Sequence, residues 1–341
     1  MLTETDLSLV NVLQVGPRAP WSLVGETLGI GPVTAARRWA QLVSDGKAWL
    51  SAYPAGSVAS RLAIAFVQID CAPGKPLEVG AALAADPHIP TVDYVAGPCD
   101  LLVHVVAPDL RGLTDYVVHR LAALPGVAGT RTLVSARMFS EGSRWQVHAI
   151  SPRQRETLAV RAKQPPAPVR FDELDRHLIL LLGEDGRMSC STIASRLGVS
   201  TSTARRRVDA ALAGGAVRLR CELARSLSPA PVTTTMWLRV PPDRLESTAR
   251  SLATLPEVRM CAAISGPANL LVVGWVRGPA DGVALESSLV TKLPWVDIID
   301  RAVTLRTVKL MGALLDESGH ARSHVPLDFW APVLPRLMAD R

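Results

Sequence analysis

A single displacement of 169 residues lays the first half of this 341-residue chain onto the second. Asp6 returns as Asp175, Leu28-Gly29 as Leu197-Gly198, Thr34-Ala35 as Thr203-Ala204 and Arg37-Arg38 as Arg206-Arg207. Farther along, Gly97-Pro98 returns as Gly266-Pro267 and Leu101-Leu102-Val103 as Leu270-Leu271-Val272, with no gap between Asp6 and Val127. The repeating unit of roughly 140 residues is far longer than a solenoid repeat of about 20–50. It has the size of a subunit, so the chain reads as a dimer fused in tandem, an internal pseudo-dimer. Two-fold dimers commonly present matched surfaces to paired half-sites on DNA.

Composition narrows the choice. An apolar fraction of 48% suffices for packed cores in several domains. Aromatic residues are only 4%, which argues against stacking on single-stranded nucleic acid as the main activity. A net charge of +6 is compatible with a polyanionic partner, and its distribution says more. Residues 1–50 carry four basic and four acidic side chains, whereas residues 170–220 carry nine arginines against six acids. The second head is the basic one. The five cysteines form no Cys-x-x-Cys pair, which fits a reduced compartment better than a disulfide framework or zinc ribbon. No secretory leader pattern and no apolar run approaching about 18 residues is present, so a cytoplasmic protein away from the membrane is expected.

Each copy opens with a three-helix head. In the second, Leu174, Leu178, Ile179, Leu181 and Leu182 mark a buried stripe that Gly183 and Gly186 end. Ser189 is placed to cap a short helix over 190–196, and Gly198 supplies a tight turn. Ser200 caps a third helix reaching about Gly214, with Ala204, Val208 and Ala211 inward. Thr201, Ser202, Arg205, Arg206 and Asp209 are left outside. A helix with free hydroxyls and arginines, following a short helix and a glycine turn, suits the major groove, where Arg bridges guanine O6 and N7. Ser200, Thr201, Ser202, Thr203, Arg205, Arg206 and Arg207 are therefore the candidate DNA contacts. The bland alternative for the arginine run, a solvated face, does not account for the capped three-helix setting. Residues 215–219 read as a short wing strand. The first head keeps Thr34, Arg37 and Arg38 on its third helix, but Gly31 replaces the capping serine and Pro32 follows it.

After each head the pattern predicts strand, helix, strand, strand, helix, strand. Strands are expected near 61–70, 91–97, 100–107 and 127–138, and again near 230–240, 260–266, 269–276 and 296–309. The fold class is α+β: two copies of a winged helix-turn-helix head, each followed by a ferredoxin-like βαββαβ body with an open sheet face free to pack on the other copy. The expected boundaries are 1–52 and 171–222 for the heads and 58–140 and 228–312 for the bodies. A linker is expected over 151–170, beginning with a short helix and stiffened by Pro165, Pro166 and Pro168, and a terminal helix over 326–340.

These residues resemble a known family. Phe171-Asp172-Glu173-Leu174-Asp175-Arg176, Leu197-Gly198-Val199-Ser200 and Thr203-Ala204-Arg205-Arg206-Arg207-Val208 resemble the DNA-binding domain of the Lrp/AsnC (feast/famine) transcription regulators. The bodies resemble that family's ligand-responsive domain, including its Gly-x-x-Asp turn, here Gly97 to Asp100. The resemblance implies a regulator of transcription, not an enzyme, that binds double-stranded DNA, takes an amino acid or similar small-molecule effector between bodies, and forms a homo-oligomer. It marks Gly97, Asp100, Gly266 and Asn269 as the effector region, with Asn269 replacing the carboxylate in the second copy. The alternative is that these four residues only build tight turns.

No cofactor or metal is expected. His320 and His324 are spaced as a helical metal pair but lack a third ligand nearby. Phosphate-loop, nucleophile-elbow and His-Glu-x-x-His motifs are absent. Two alternatives remain. One is a siroheme decarboxylase-like enzyme, whose architecture is similar, although neither 95–100 nor 264–269 contains the His or Tyr that such chemistry would use. The other is an amino-acid sensor that does not bind DNA, for which Arg205 and Arg206 would have no use.

Overall fold

The computed structural model describes residues 2–162 and 171–333. The first half runs α1 (Glu4–Val15), α2 (Trp21–Leu28), α3 (Pro32–Ser44), β1 (Ala48–Pro54) and a single turn, α4 (Gly56–Ala59). Its body follows as β2 (Ala63–Cys71), α5 (Pro76–Ala84), β3 (Thr91–Ala96), β4 (Leu101–Ala107), α6 (Leu110–Asp115, continued by a π turn over Tyr116–Leu121) and β5 (Val127–Ser140). After α7 (Pro152–Ala162) the same order returns as α8 (Glu173–Glu184), α9 (Cys190–Leu197), α10 (Thr201–Ala213) and β6 (Val217–Leu223). The second body is β7 (Val232–Arg239), α11 (Leu245–Leu252), β8 (Val258–Ile264), β9 (Leu270–Val276), α12 (Pro279–Lys292) and β10 (Asp297–Leu310), followed by β11 (Ala313–Leu315) and β12 (Ala321–His324).

These elements gather into two compact units that cut across the repeat. One holds both heads, Met1–Arg61 and Gln146–Leu227, with His320–Asp328. The other holds both bodies, Leu62–Trp145 and Ser228–Gly319, with the segment from Phe329 onward.

In the head unit the expected wing is absent as such. β6 pairs antiparallel with β1, Ala48 opposite Leu223, Ser51 opposite Arg220 and Pro54 opposite Val217. Leu219, Cys221 and Leu223 are buried. A strand so enclosed must satisfy its backbone N–H and C=O groups on a partner strand rather than on water. The heads are tied a second time by a reciprocal pair. Arg18 donates to the carbonyls of Gly186 (2.8 Å) and Met188 (3.0 Å), and Arg187 donates to those of Pro17 (2.7 Å) and Ala19 (2.8 Å). Arg187 also lies over the Trp21 ring, 3.9 Å from its centroid.

Residues 151–162 are not a free linker. Leu158 on α7 is fully buried in the first head's core. Gln154 Nε2 donates to the Thr27 carbonyl, and Asn11 Oδ1 accepts from the Ala149 and Ile150 N–H groups. The proline segment 164–168 lies outside the described residues. The terminal helix expected over 326–340 does not form across 326–333, which are turns and irregular chain; the remainder lies outside the described residues. Pro326 and Pro332 each lack an N–H and hold the preceding residue out of helical geometry.

In the body unit, β3-β4-β2-β5 and β8-β9-β7-β10 form two antiparallel sheets. Beyond the face-to-face packing expected of open sheet faces, the edges are also hydrogen-bonded. β5 pairs with β8, Ser135 opposite Ile264, and β10 pairs with β3, Thr304 opposite Val95, so the eight strands close into a ring. Closure removes the bare edges that would otherwise invite pairing with other chains. Strand alternation sorts the side chains. Phe66, Leu102, Leu133, Trp237, Leu271 and Ala302 point into one shared interior. Val67 and Ile69 turn outward to α5 and α6, and Met236 and Leu238 to α11 and α12. Among the described residues, no helix is long and apolar enough to cross a membrane.

Candidate nucleic-acid interface and effector turns

α8 begins with a capping box, in which Asp172 accepts the Asp175 N–H and Asp175 accepts the Asp172 N–H. Ser189 caps α9 by accepting the Thr192 N–H at 3.0 Å. Gly198 then takes a left-handed conformation (φ 66, ψ 31), which glycine adopts without the steric cost borne by other residues, and turns the chain into α10. Ser200 caps α10: its Oγ accepts the Thr203 N–H (3.1 Å) and lies 2.9 Å from the Ser202 and Thr203 hydroxyls. Ala204, Val208 and Ala211 are buried, while Thr201, Ser202, Arg205, Arg206 and Asp209 are exposed. Arg205 and Arg206 have no ion pair among the described residues. A capped helix N-terminus, three hydroxyls and two unpaired guanidinium groups thus share one solvent face. That surface can bind phosphate and hydrogen-bond base edges.

Arg207 stands apart from its neighbours. It bridges Asp175 (2.8 Å) and Asp172 (2.9 Å), and the hydrogen bond to Asp172 is the main reason its guanidinium is held above its ordinary pKa. The repeat-equivalent Arg38 bridges Asp6 at 3.0 Å. Burial pushes the Asp6 carboxyl upward, but the hydrogen bonds from Thr3 and Arg38 outweigh it and hold the group below its usual range. Grouped with the DNA contacts on sequence, Arg38 and Arg207 each fasten a third helix to the capping box of the first. The rest of α3 is poorer than α10. Gly31 makes no side-chain cap, Thr34 is half-buried, and Arg37 is exposed. Val33 stands 82% exposed where the second copy has Ser202.

The turns Gly97 to Asp100 and Gly266 to Asn269 have matched geometry. Asp100 Oδ2 accepts the Cys71 N–H at 2.7 Å. Asn269 Oδ1 accepts the Val240 N–H at 2.9 Å, and its Nδ2 donates to the Val240 carbonyl at 2.7 Å. Cys71 and Val240 are themselves repeat equivalents. A Cβ on Gly97 would come within 2.7 Å of Ala302 Cβ, and one on Gly266, where φ is +118, within 3.0 Å of Leu133 Cδ2. Each glycine therefore lets its turn lie against the other body. His320 and His324 lie on and beside extended chain, where residues four apart are separated by roughly 13 Å. Among the described residues, no cluster of His, Cys, Asp and Glu is placed to hold a metal ion.

The sequence reading missed Arg18 and Arg187. The signal was present, because the 169-residue offset lays one on the other.

Comparison with known proteins gives two family matches. Residues 64–145 match the Lrp/AsnC ligand binding domain, and residues 171–211 match the AsnC-type helix-turn-helix domain. An uncharacterized HTH-type transcriptional regulator of Pyrococcus abyssi is 31% identical over 147 residues, covering 42% of this chain and 91% of the relative. Another, of Pyrococcus furiosus, is 32% identical over 145 residues, covering 42% and 96%. Among solved structures, the siroheme decarboxylase NirDL aligns over 96% of each chain with a TM-score of 0.59 at 14% identity, a likeness of fold. Both of these relatives are matched nearly end to end by less than half of this chain, and these matches combine with the two domain matches to one conclusion: the chain belongs to the Lrp/AsnC family of helix-turn-helix transcriptional regulators.

Proposed function

We propose that this chain is a tandem-fused dimer that acts as a regulator rather than an enzyme, in the cytoplasm. It reads double-stranded DNA chiefly through α10, using Thr201, Ser202, Arg205 and Arg206, with the Ser200 and Thr203 hydroxyls beside them. Arg37 and Thr34 on α3 supply a weaker, mostly phosphate-directed contact. The bodies respond to a small molecule of the amino-acid type, and whole chains assemble further into homo-oligomers. Gly97, Asp100, Gly266 and Asn269 shape the joint between bodies and leave ligand contacts to other residues. The pairing of β1 with β6 and the reciprocal Arg18 and Arg187 bonds support the tandem reading.

The observation that carries the DNA reading is the division of labour within Arg205-Arg206-Arg207. Two arginines are exposed and unpaired beside a capped helix start, while the third is committed to two carboxylates. The sorting leaves Arg205 and Arg206 free to donate to phosphate oxygens and guanine edges. Pull-down of genomic fragments by the purified full chain, followed by anisotropy titrations of an enriched fragment at two salt concentrations, tests the proposal. Enrichment of a few sequences, with affinity that survives bulk competitor DNA, is the expected result. Equal recovery of all fragments would defeat it.

A further inference from the structure

The heads share a scaffold but not a reading face. α3 and α10 are both 13 residues long, and each follows a left-handed glycine, Gly29 (φ 67, ψ 29) or Gly198 (φ 66, ψ 31). Arg38 ties one of them, and Arg207 the other, to a carboxylate of its own first helix. In the pairing of β1 with β6, Ser51 lies opposite Arg220, its own equivalent 169 residues on. A pseudo-two-fold axis therefore passes between the strands at that point and relates α3 to α10. A dimer of identical subunits must show the same face to both half-sites, which is why its sites are palindromic. A fused chain carries two separate sequences, and nothing holds their faces equal.

Here they are unequal. Positions i, i+3, i+4 and i+7 of a helix share one side. On α10 these are Ser202, Arg205, Arg206 and Asp209, and on α3 they are Val33, Ala36, Arg37 and Ala40. Three of the four polar side chains of α10 thus have aliphatic counterparts on α3. Val33 stands 82% exposed, Arg37 and Ala40 are exposed, and Ala36 is half-buried. A single exposed valine is ordinary. A whole side stripped of polar groups, on a helix that keeps its backbone geometry and its anchoring ion pair, is not. The helix start changes in the same sense. Gly31 has no capping hydroxyl and Pro32 has no N–H, so α3 offers a phosphate fewer donors than α10 does with Ser200 and Thr201.

Base edges in the major groove differ in kind. Guanine presents two acceptors, O6 and N7, that suit arginine, whereas thymine presents a C5-methyl group that suits an aliphatic side chain. We infer that the operator of this chain is non-palindromic, with a guanine-bearing half-site under α10 and a thymine-bearing half-site under α3. Arg205 and Arg206 read guanine under α10. Val33, with Ala36 beside it, packs on thymine methyl groups under α3, where Arg37 and Thr34 hold the flanking phosphates. The charge distribution agrees, since residues 170–220 carry nine arginines against six acids while residues 1–50 balance at four and four. Such a site gives each chain one orientation on DNA, which a dimer of identical subunits cannot have. A non-palindromic operator presupposes that both helices contact DNA, the reading proposed above, and adds what each head recognises.

Selection of binding sites by the full chain from a pool of random DNA duplexes tests it. The expected site has two unlike halves about 10 base pairs apart, one holding guanine and the other thymine. Symmetric duplexes built from either half used twice should each bind at least about tenfold more weakly than the selected site. Replacing the contacted thymine by deoxyuridine removes the methyl group alone and should weaken binding about fourfold, the worth of one buried methyl group. Val33→Ser should bind the thymine and deoxyuridine duplexes equally, with Tm unchanged because Val33 is exposed. A palindromic selected site would overturn the inference and leave the DNA reading standing. So would a deoxyuridine penalty that is absent, or one that survives Val33→Ser. Selection of no site at all would overturn both.

Discussion

Adjacent arginines in one helix take opposite roles here because a helix turns about 100° per residue. Arg206 faces water, while Arg207 reaches back to Asp172 and Asp175. Arg206→Ala should weaken specific DNA binding by about 1–3 kcal/mol and relax preference at one base position, with Tm unchanged. Arg207→Ala should lower Tm by the equivalent of about 1 kcal/mol, because its ion pairs are only partly shielded. Titration and thermal melting of both variants check this, and the reverse pattern would reassign the two residues. A second residue-scale prediction concerns Lys309, wholly buried on β10, whose Nζ donates to the Asp86 carbonyl at 2.7 Å. Burial brings its ammonium down to about 7, against the opposing pull of the Asp86 charge. Between that value and the ordinary 10.5, the unfolded chain holds a proton that the folded chain has released, so this group makes stability rise with pH. Lys309→Met should flatten the rise of Tm between about pH 7 and pH 10; an unchanged slope would mean that other groups set it.

Turns and caps show how an element can stay constant while its side chains change. Asp100 gives one acceptor to the end of β2, and Asn269 gives an acceptor and a donor to the end of β7. Asp100→Asn is accordingly expected to leave Tm and effector affinity nearly unchanged. Asp100→Ala should cost about 1 kcal/mol of stability through the lost bond to Cys71. Were Asp100 gripping an ammonium, the amide would weaken the effector severely, and calorimetry separates the two outcomes. The same scale shows what a linear reading resolves. Helix periodicity and capping residues mark α8, α9 and α10 closely, because a helix bonds within itself. β6 could be recognised as a strand but not as a partner of β1, since its hydrogen bonds go to residues far away in sequence. Over 326–333 the expected terminal helix fails for a local reason, Pro326 and Pro332, that apolar spacing had obscured.

Across the molecule, the division into a head unit and a body unit means that neither half of the sequence encloses the interior between the two sheets. The interior of the strand ring mixes Phe66 and Leu133 with Trp237 and Leu271. A half alone would leave β3 and β5, or β8 and β10, without their edge partners. Residues 1–165 and 166–341, co-expressed as separate chains, should therefore co-purify in equal amounts. Size-exclusion chromatography with light scattering would report the complex, and two independent monomers would contradict the tandem arrangement.

The amino-acid order alone determined the repeat, the three-helix heads, the βαββαβ bodies and the exposed arginines of α10. Those features arise from local periodicity, capping and turn chemistry within a few residues. Only the tertiary structure decided that β1 joins β6, that eight strands close into a ring, and that Arg207 is committed to carboxylates. Each of these is a contact between residues distant in sequence, and it depends on which backbone groups and which buried charges find a partner once the chain is compact.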